Sequence, residues 1–189
     1  IALRFAASEL LLRSMELNNI FSQTMGTERH AIICGFGRSG QTLARFMVQE
    51  QVGYMALDLD PERVREAAAA GENVVFGDAA RRETLLAAGV TRASVLVVTF
   101  TDTRAAERIL QLVHELKPDL PVIVRTYDDT DMNRLRAAGA TEVVPESLEG
   151  SMMLASHALV LIGIPINRVL KRVREMRGSQ YQLLRGFFH

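Results

Sequence analysis

The sequence predicts an α/β fold, an open and doubly wound parallel sheet of six strands. A short apolar run, Ala31–Cys34, leads into a Gly-x-Gly-x-x-Gly motif and then into a helical pattern. Further short apolar runs alternate with helical patterns along the chain. Three helices end in Ala-Gly, at Gly71, Gly89 and Gly139, where glycine adopts a left-handed conformation at low cost. With right-handed crossovers, this pattern predicts the strand order 3-2-1-4-5-6.

The glycine motif, residues 35–40, follows the first strand directly and opens the first helix. Gly35 would make the tight turn, Gly37 would let the backbone approach a pyrophosphate, and Gly40 would let helix and strand pack closely. Phosphates would bind the free N–H groups at the helix N-terminus, where the helix dipole favours negative charge. The motif predicts a nucleotide site, although the glycines of a Rossmann-type unit can also serve packing alone.

The second predicted strand, residues 54–57, ends on Asp58. Asp58 lies 18 residues after Gly40, close to the spacing of roughly 20 for the carboxylate that binds ribose hydroxyls. A carboxylate here repels a 2′-phosphate, and Leu59 and Asp60 provide no cation to offset it. We therefore expect an adenine nucleotide, AMP or NAD/NADH, and not NADP.

Turn and capping residues place the remaining elements of the sheet. Asp60 followed by Pro61 is a typical helix start, with Asp as the N-cap and Pro in the first turn. The other predicted strands are Val74–Phe76, Val95–Val98, 121–125 and 142–144, and further helices begin near Arg82, at Asp102 and after Asp129.

The predicted sheet ends at Pro145, and two helices follow it. The first, residues 147–162 with Ser147 as its N-cap, is apolar on nearly every side and is expected to be buried on all sides. Because one small sheet cannot cover such a helix, we predict a homodimer. After a Gly-Ile-Pro break, the second helix presents a basic face that either is solvated or docks on a membrane surface or a partner. This helix covers residues 167–177 and carries Arg168, Lys171, Arg172 and Arg174.

These boundaries divide the chain into three segments. Residues 1–28 are predicted to form an amphipathic linker helix, 29–146 the nucleotide-binding domain, and 147–189 a dimerisation helix followed by a basic C-terminal helix. The linker helix would lie on the domain or on a sister subunit, or it would connect to an upstream domain. Because the chain begins at Ile1 and not at Met, we expect it to be a piece of a larger polypeptide.

Composition limits the classes of function. Lys plus Arg and Asp plus Glu number 22 each, so no net charge attracts the chain to nucleic acid. The one cysteine, Cys34, cannot form an internal disulfide, which fits a reducing cytoplasm and a small residue of the core. No uninterrupted apolar stretch reaches the length of a membrane span.

In a doubly wound sheet, ligands bind at the carboxyl ends of the strands, near the switch between strands 1 and 4. At these ends, Asp78 either binds ligand or caps the next helix, and Arg125 either offsets a phosphate or pairs with Asp102 or Asp128. No zinc spacing, nucleophile elbow or P-loop ending is present in the sequence. The pattern predicts a binding site without a reaction. The alternatives are a small NAD-dependent oxidoreductase whose substrate part lies elsewhere, and a purely structural dimerisation domain.

Four motifs carry a resemblance to a known family: Ile-Cys-Gly-Phe-Gly-Arg-Ser-Gly-Gln, Leu-Asp-Leu-Asp-Pro, Phe-Gly-Asp-Ala and Pro-Glu-Ser-Leu-Glu-Gly. Together they resemble the RCK, or KTN (TrkA-N), domain, and most of all the cytoplasmic domain of Kef-type potassium/proton antiporters. The resemblance implies a regulatory domain at the cytoplasmic face of the inner membrane, which dimerises through a swapped helix after the sixth strand. It also implies that nucleotide binding, often of AMP or NAD(H), controls ion flux through a membrane transport domain.

The resemblance further implies which residues contact the nucleotide and whether glutathione acts on the domain. In glutathione-gated members an arginine follows the Pro-Glu pair, where this chain has Ser147, and a tail asparagine falls near Ser179. Arg45 does match a family arginine near that pocket, but the two departures argue against gating by glutathione. The implied contacts are Gly35, Phe36, Gly37, Arg38, Gly40, Asp58, Leu59, Asp78, Ala79 and Thr99, and the predicted cofactor-binding set adds Ser39, Phe100, Thr101 and Arg125.

Overall fold

The computed structural model describes residues 12–18, Ile20 and residues 29–181 of the 189-residue chain. In these ranges six strands form an all-parallel sheet, which confirms the predicted α/β fold class. The strands are β1 (Ala31–Cys34), β2 (Tyr54–Asp58), β3 (Val74–Phe76), β4 (Val95–Val98), β5 (Val122–Thr126) and β6 (Glu142–Pro145). Their order in the sheet is β3-β2-β1-β4-β5-β6, as predicted.

A helix connects each strand to the next, and two helices follow the last strand. The connecting helices are α1 (Arg38–Gln49), α2 (Pro61–Ala69), α3 (Arg82–Ala87), α4 (Thr103–Leu116) and α5 (Met132–Ala137). After β6 come α6 (Glu146–Leu161) and α7 (Ile166–Gly178).

The central strand β1 is buried on both faces of the sheet. Its side chains alternate between two apolar clusters, one on each face of the sheet: Ile32 and Cys34 belong to one, and Ala31 and Ile33 belong to the other. Crossover helices cover both faces of a parallel sheet, which is why β1 reads in the sequence as a continuous apolar run. Because β1 lies between β2 and β4, its glycine turn opens at the middle of the carboxyl edge of the sheet.

The beginning of α6 differs from the prediction. Pro145, and not Ser147, is the N-cap, and the helix begins at Glu146. The backbone N–H of Ser147 donates to the carbonyl oxygen of Tyr127 at 2.9 Å, so the first turn of α6 is tied to the end of β5. The fixed φ of proline is compatible with a helix start, which accounts for the earlier beginning.

Within the described residues, helix α6 is only partly buried, which agrees with the expectation that one small sheet cannot cover it, while its burial by a second chain stays a prediction. Met152 is its buried residue, whereas Leu154 is 74% exposed and Leu161 is 88% exposed. His157 is exposed as well. The helix follows the edge strand β6 and packs on α7, so the described part of the chain covers only part of its apolar surface. In the described ranges, no helix combines the length and the apolar character needed to cross a membrane.

The described part of the N-terminal segment lies near β3 and α3. Residues 12–18 and Ile20 are helical. Arg13 pairs with Glu83 at 3.1 Å, and the buried side chain of Ile20 lies beside Gly77. The rest of the predicted linker helix lies outside the described residues, and the segment boundaries at residues 28 and 146 stay predictions.

Candidate functional site

A cleft of about 980 Å³ opens at the carboxyl edge of the sheet, at the ends of β1, β2 and β4. This is the switch point of the fold, because β1 has β2 on one side and β4 on the other. The structure therefore brings the predicted residues together, while their role in binding stays a prediction. All of the predicted set except Phe36 and Gly40 line the cleft: Gly35, Gly37, Arg38, Ser39, Asp58, Leu59, Asp78, Ala79, Thr99, Phe100, Thr101 and Arg125.

The three motif glycines differ in what surrounds them. Gly35 has a φ of +99°, and a Cβ there would lie 2.7 Å from Oγ1 of Thr99. A Cβ on Gly40 would lie 2.1 Å from the carbonyl oxygen of Gly35, so the helix approaches the turn as closely as predicted. A Cβ on Gly37 would meet no described atom within 4 Å. The architecture therefore requires glycine at two of the three positions, but not at Gly37.

The N-terminus of α1 faces the cleft. Gly37 is its N-cap, no side chain caps the first-turn N–H groups, and the first turn contains no acidic residue. Arg38 and Ser39 of that turn line the cleft. Uncapped N–H groups and the positive end of the helix dipole together attract anions, phosphate groups in particular.

Asp58 lies at the end of β2 with 7% of its surface exposed. Its Oδ2 accepts a hydrogen bond from the backbone N–H of Phe36 at 2.6 Å, and its Oδ1 accepts one from the N–H of Asp60 at 2.8 Å. Phe36 is itself buried, and its ring stacks on Tyr54 with the centroids 6.5 Å apart. Phe36 thus holds the carboxylate in place from beneath the cleft and does not line it.

Arg63 of α2 also lines the cleft and is absent from the predicted set. Its Nη1 lies 3.0 Å from both carboxylate oxygens of Asp58, and its Nη2 lies 3.3 Å from Oδ2 of Asp60. The sequence argument against NADP assumes that no cation lies beside Asp58. That assumption is wrong, because the first turn of α2 brings the guanidinium group back onto the end of β2.

Thr99 and Arg125 connect strand ends on the other side of the cleft. Oγ1 of Thr99 donates to the carbonyl oxygen of Gly35 at 2.7 Å, which joins the end of β4 to the glycine turn. Nη1 of Arg125 donates to the carbonyl oxygen of Thr99 at 2.7 Å, and Nη2 pairs with Glu146, the first residue of α6. One arginine therefore links β4, β5 and α6 at the rim of the cleft.

The structure shows the contacts of the residues at the strand ends for which the sequence left alternatives open. Asp78 accepts a backbone N–H and lies 3.5 Å from Nε of Arg81, which is the N-cap of α3, so Asp78 does not cap that helix. Asp102 is the N-cap of α4, as predicted. The ion-pair partner of Arg125 is Glu146, and not Asp102 or Asp128 as the sequence suggested, because α6 begins directly beside the end of β5.

Cys34, the last residue of β1, is fully buried beneath the glycine turn. Burial raises the pKa of its thiol to about 12. At neutral pH the side chain is therefore a protonated thiol, which confirms the prediction of a small core residue over a reactive one.

The fold and the cleft define a class of protein, a doubly wound α/β domain with a ligand-sized cleft at its switch point. The TrkA-N domain family matches residues 31–146. The chain therefore belongs to the TrkA-N family, and the resemblance drawn from the four sequence motifs is confirmed.

Named relatives of the chain are potassium efflux proteins. The putative K(+) efflux antiporter KefB of Alkalimonas amylolytica is 47% identical over 163 residues, which are 86% of this chain and 25% of the relative. The glutathione-regulated potassium-efflux system protein KefC of Cronobacter sakazakii is 33% identical over 192 residues, which are 97% of this chain and 31% of the relative. The chain thus spans less than a third of the length of these relatives.

A solved structure of similar fold comes from the same group of proteins. It is the Kef C-terminal domain of Shewanella denitrificans in its AMP-bound form. The match has a TM-score of 0.67 and 26% sequence identity, and it covers 82% of this chain and 97% of the other.

Proposed function

We propose that the chain is a nucleotide-binding regulatory domain of a Kef-type potassium efflux antiporter. One observation carries the binding part of this proposal: Gly37 lies in the cleft at the uncapped N-terminus of α1, where the architecture does not require a glycine. A packing role accounts for Gly35 and Gly40, but it does not account for Gly37. A phosphate group bound at this N-terminus does account for it, because a side chain there would block the approach of the backbone.

The ligand in this proposal is an adenine nucleotide, AMP or NAD(H). Its phosphate would bind the N–H groups of the first turn of α1, and its ribose hydroxyls would donate to the carboxylate of Asp58. The AMP-bound Kef domain of similar fold supports this ligand class. Because Arg63 pairs with Asp58, the carboxylate repels a 2′-phosphate less strongly than the sequence argument assumes, and the exclusion of NADP stays a prediction.

The regulatory part of the proposal follows from the relatives, which are named as potassium efflux proteins and are several times longer than this chain. The domain would act on a membrane transport domain at the cytoplasmic face of the inner membrane, and it would do so as a homodimer. A nucleotide shifts such a dimer only when its affinity for two arrangements of the dimer is unequal. Ser147 and Ser179 still argue against glutathione as the regulator.

The oxidoreductase alternative gains no support from the cleft. Its described lining contains carboxylates, arginines and hydroxyls, but neither a histidine nor a cysteine. The residues that line it provide binding contacts, and we therefore propose a domain that binds its ligand without transforming it.

The test is calorimetric titration of the purified chain with AMP, NAD and NADH, beside native mass spectrometry for retained ligand. We expect Gly37→Val to abolish binding while the chain stays folded, because a Cβ there meets no described atom within 4 Å; the loss of thermal stability should be no more than about 1 kcal/mol, the cost of a poorer N-cap. Asp58→Asn should also weaken binding, because an amide offers one acceptor oxygen to the ribose hydroxyls where the carboxylate offers two.

Gly178→Val is the matched control for the glycine variant. Gly178 ends α7, and a Cβ there also meets no described atom within 4 Å. This control should bind nucleotide as the unaltered chain does. Normal binding by both cleft variants, or no binding of any adenine nucleotide by the unaltered chain, would contradict the proposal.

A further inference from the structure

The carboxylate of Asp58 has no acceptor position left for a ligand in the arrangement that the structure shows. A carboxylate offers about four acceptor positions, two on each oxygen. Oδ2 accepts from the N–H of Phe36 and from Nη1 of Arg63, and Oδ1 accepts from the N–H of Asp60 and from the same Nη1. The two backbone donors belong to the framework of the fold, whereas the donor from Arg63 belongs to a side chain that can rotate.

We propose that Arg63 is an internal competitor of the nucleotide ribose, and that its displacement from Asp58 sets the affinity and the selectivity of the cleft. The two positions held by its Nη1, one on each oxygen, are those that a 2′-hydroxyl and a 3′-hydroxyl would use together. This inference rests on the proposed function, because it concerns the binding of a nucleotide to Asp58.

The surroundings of Arg63 favour its displacement over its permanent retention. Its side chain is 40% exposed, so complete burial does not hold it on the carboxylate. A second partner is already in place, because Nη2 lies 3.3 Å from Oδ2 of Asp60. Asp60 is held as the N-cap of α2 through its other oxygen, Oδ1, which accepts from the N–H groups of Glu62 and Arg63. The guanidinium group therefore keeps a counter-ion after it releases Asp58.

The competition makes a distinctive prediction about the ribose. A nucleotide with both hydroxyls gains its bonds to Asp58 only by breaking the Arg63 pair, so the net gain is small while Arg63 is present. A nucleotide that lacks both hydroxyls leaves the pair intact. Removal of Arg63 should therefore raise the affinity for AMP relative to the affinity for 2′,3′-dideoxy-AMP. The substitution also removes a positive charge from a site for an anion, so the ratio of the two affinities is the quantity to compare.

The experiment is calorimetric titration of AMP and 2′,3′-dideoxy-AMP into the unaltered chain and into Arg63→Ala. We expect Arg63→Ala to increase the ratio of AMP affinity to dideoxy-AMP affinity by about fivefold, the scale of one partly exposed ion pair. Arg63→Met provides a second variant that keeps the apolar stem of the side chain, and it should show the same change.

Arg65→Ala is the matched control for charge. Arg65 lies on the same helix and pairs with Glu62, away from Asp58, so its loss should leave the ratio unchanged. Equal ratios in the unaltered chain and both Arg63 variants would overturn the inference. Weaker binding of both nucleotides, by the same factor, would also overturn it and make Arg63 a direct contact of the phosphate. If the unaltered chain binds neither nucleotide, the proposed function fails first, and the inference fails with it.

Discussion

His30, the residue before β1, illustrates how one buried side chain ties the stability of the fold to pH. It is 1% exposed, and its Nε2 lies 2.7 Å from the carbonyl oxygen of Ala88. Among the described residues, its Nδ1 has no hydrogen-bond partner. Burial lowers the pKa of His30 below its ordinary value of 6.5, the bond to Ala88 opposes this, and the charges of Arg92 and Lys117 lower it further. A second proton on this ring would therefore be unfavourable in the folded state.

Stability should consequently fall as the pH drops below about 6.5, because the unfolded chain binds a proton at His30 that the folded chain does not. Between pH 7.5 and pH 5.5 this one residue can remove up to about 1.4 kcal/mol, which lowers the melting temperature by up to about 4 °C. Calorimetric melting at both pH values should show a smaller drop for His30→Gln. His114→Gln is the control for loss of an exposed histidine. An equal drop in the unaltered chain and in His30→Gln would contradict this account.

Sequence predicts a site residue when the path of the backbone alone brings that residue to the site. It does not predict a residue that reaches the site only through the conformation of a long side chain. Thr99 and Arg125 are found because strand ends converge at one edge of a parallel sheet, whatever their side chains do. Arg63 is missed because it contacts Asp58 only through a long side chain that folds back from the next helix. The signal in the sequence was the Asp-Pro helix start after Asp58, which brings the third residue of α2 back toward the end of β2.

At the scale of helices, α6 and α7 are joined by a polar contact in addition to their apolar packing. Nε and Nη2 of Arg177 donate to the two carboxylate oxygens of Glu149 at 3.0 Å and 2.7 Å, and the hydroxyl of Tyr181 donates to Oε1. Burial acts to raise the pKa of Glu149, but the hydrogen bonds from Arg177 and Tyr181 and the arginine charge outweigh it, and the pKa is lowered. The pair thus holds the end of α7 against the first turn of α6.

Glu149→Gln should loosen this junction and cost about 1 kcal/mol of stability, since the arginine side is half exposed. Hydrogen exchange should accelerate in α7 and not in β1 or β4. Because the folded pKa of Glu149 is lowered, the stabilisation is present above the unfolded value near 4.5 and is lost as the pH falls through the folded value. Glu175→Gln, which breaks a pair within α7 only, is the control. Unchanged exchange in α7 of the Glu149 variant would refute the role of this contact.

At the scale of the whole molecule, the sequence predicts the sheet correctly, whereas the covering of α6 by a second chain stays a prediction. Strands buried on both faces, with a helix between each pair, leave few arrangements besides the one observed. The apolar character of α6 was equally visible, but burial depends on what a helix packs against. Among the described residues, α6 follows β6 and packs on α7, and the side that carries Leu154 and Leu161 is left exposed. A second chain is a separate molecule, and no local pattern reveals its position.

We expect the apolar surface of α6 to be a homodimer interface, because so many large side chains left in water are costly for a monomer. Leu154→Glu combined with Leu161→Glu should convert the dimer to a monomer at micromolar concentration, as measured by light scattering after gel filtration. Val48→Glu introduces the same charge at an exposed apolar residue of α1 and should leave the dimer intact. The monomeric variant should still bind AMP, because the lining of the cleft comes from one chain. A monomeric unaltered chain, or a dimer that survives both leucine substitutions, would exclude this surface as the interface.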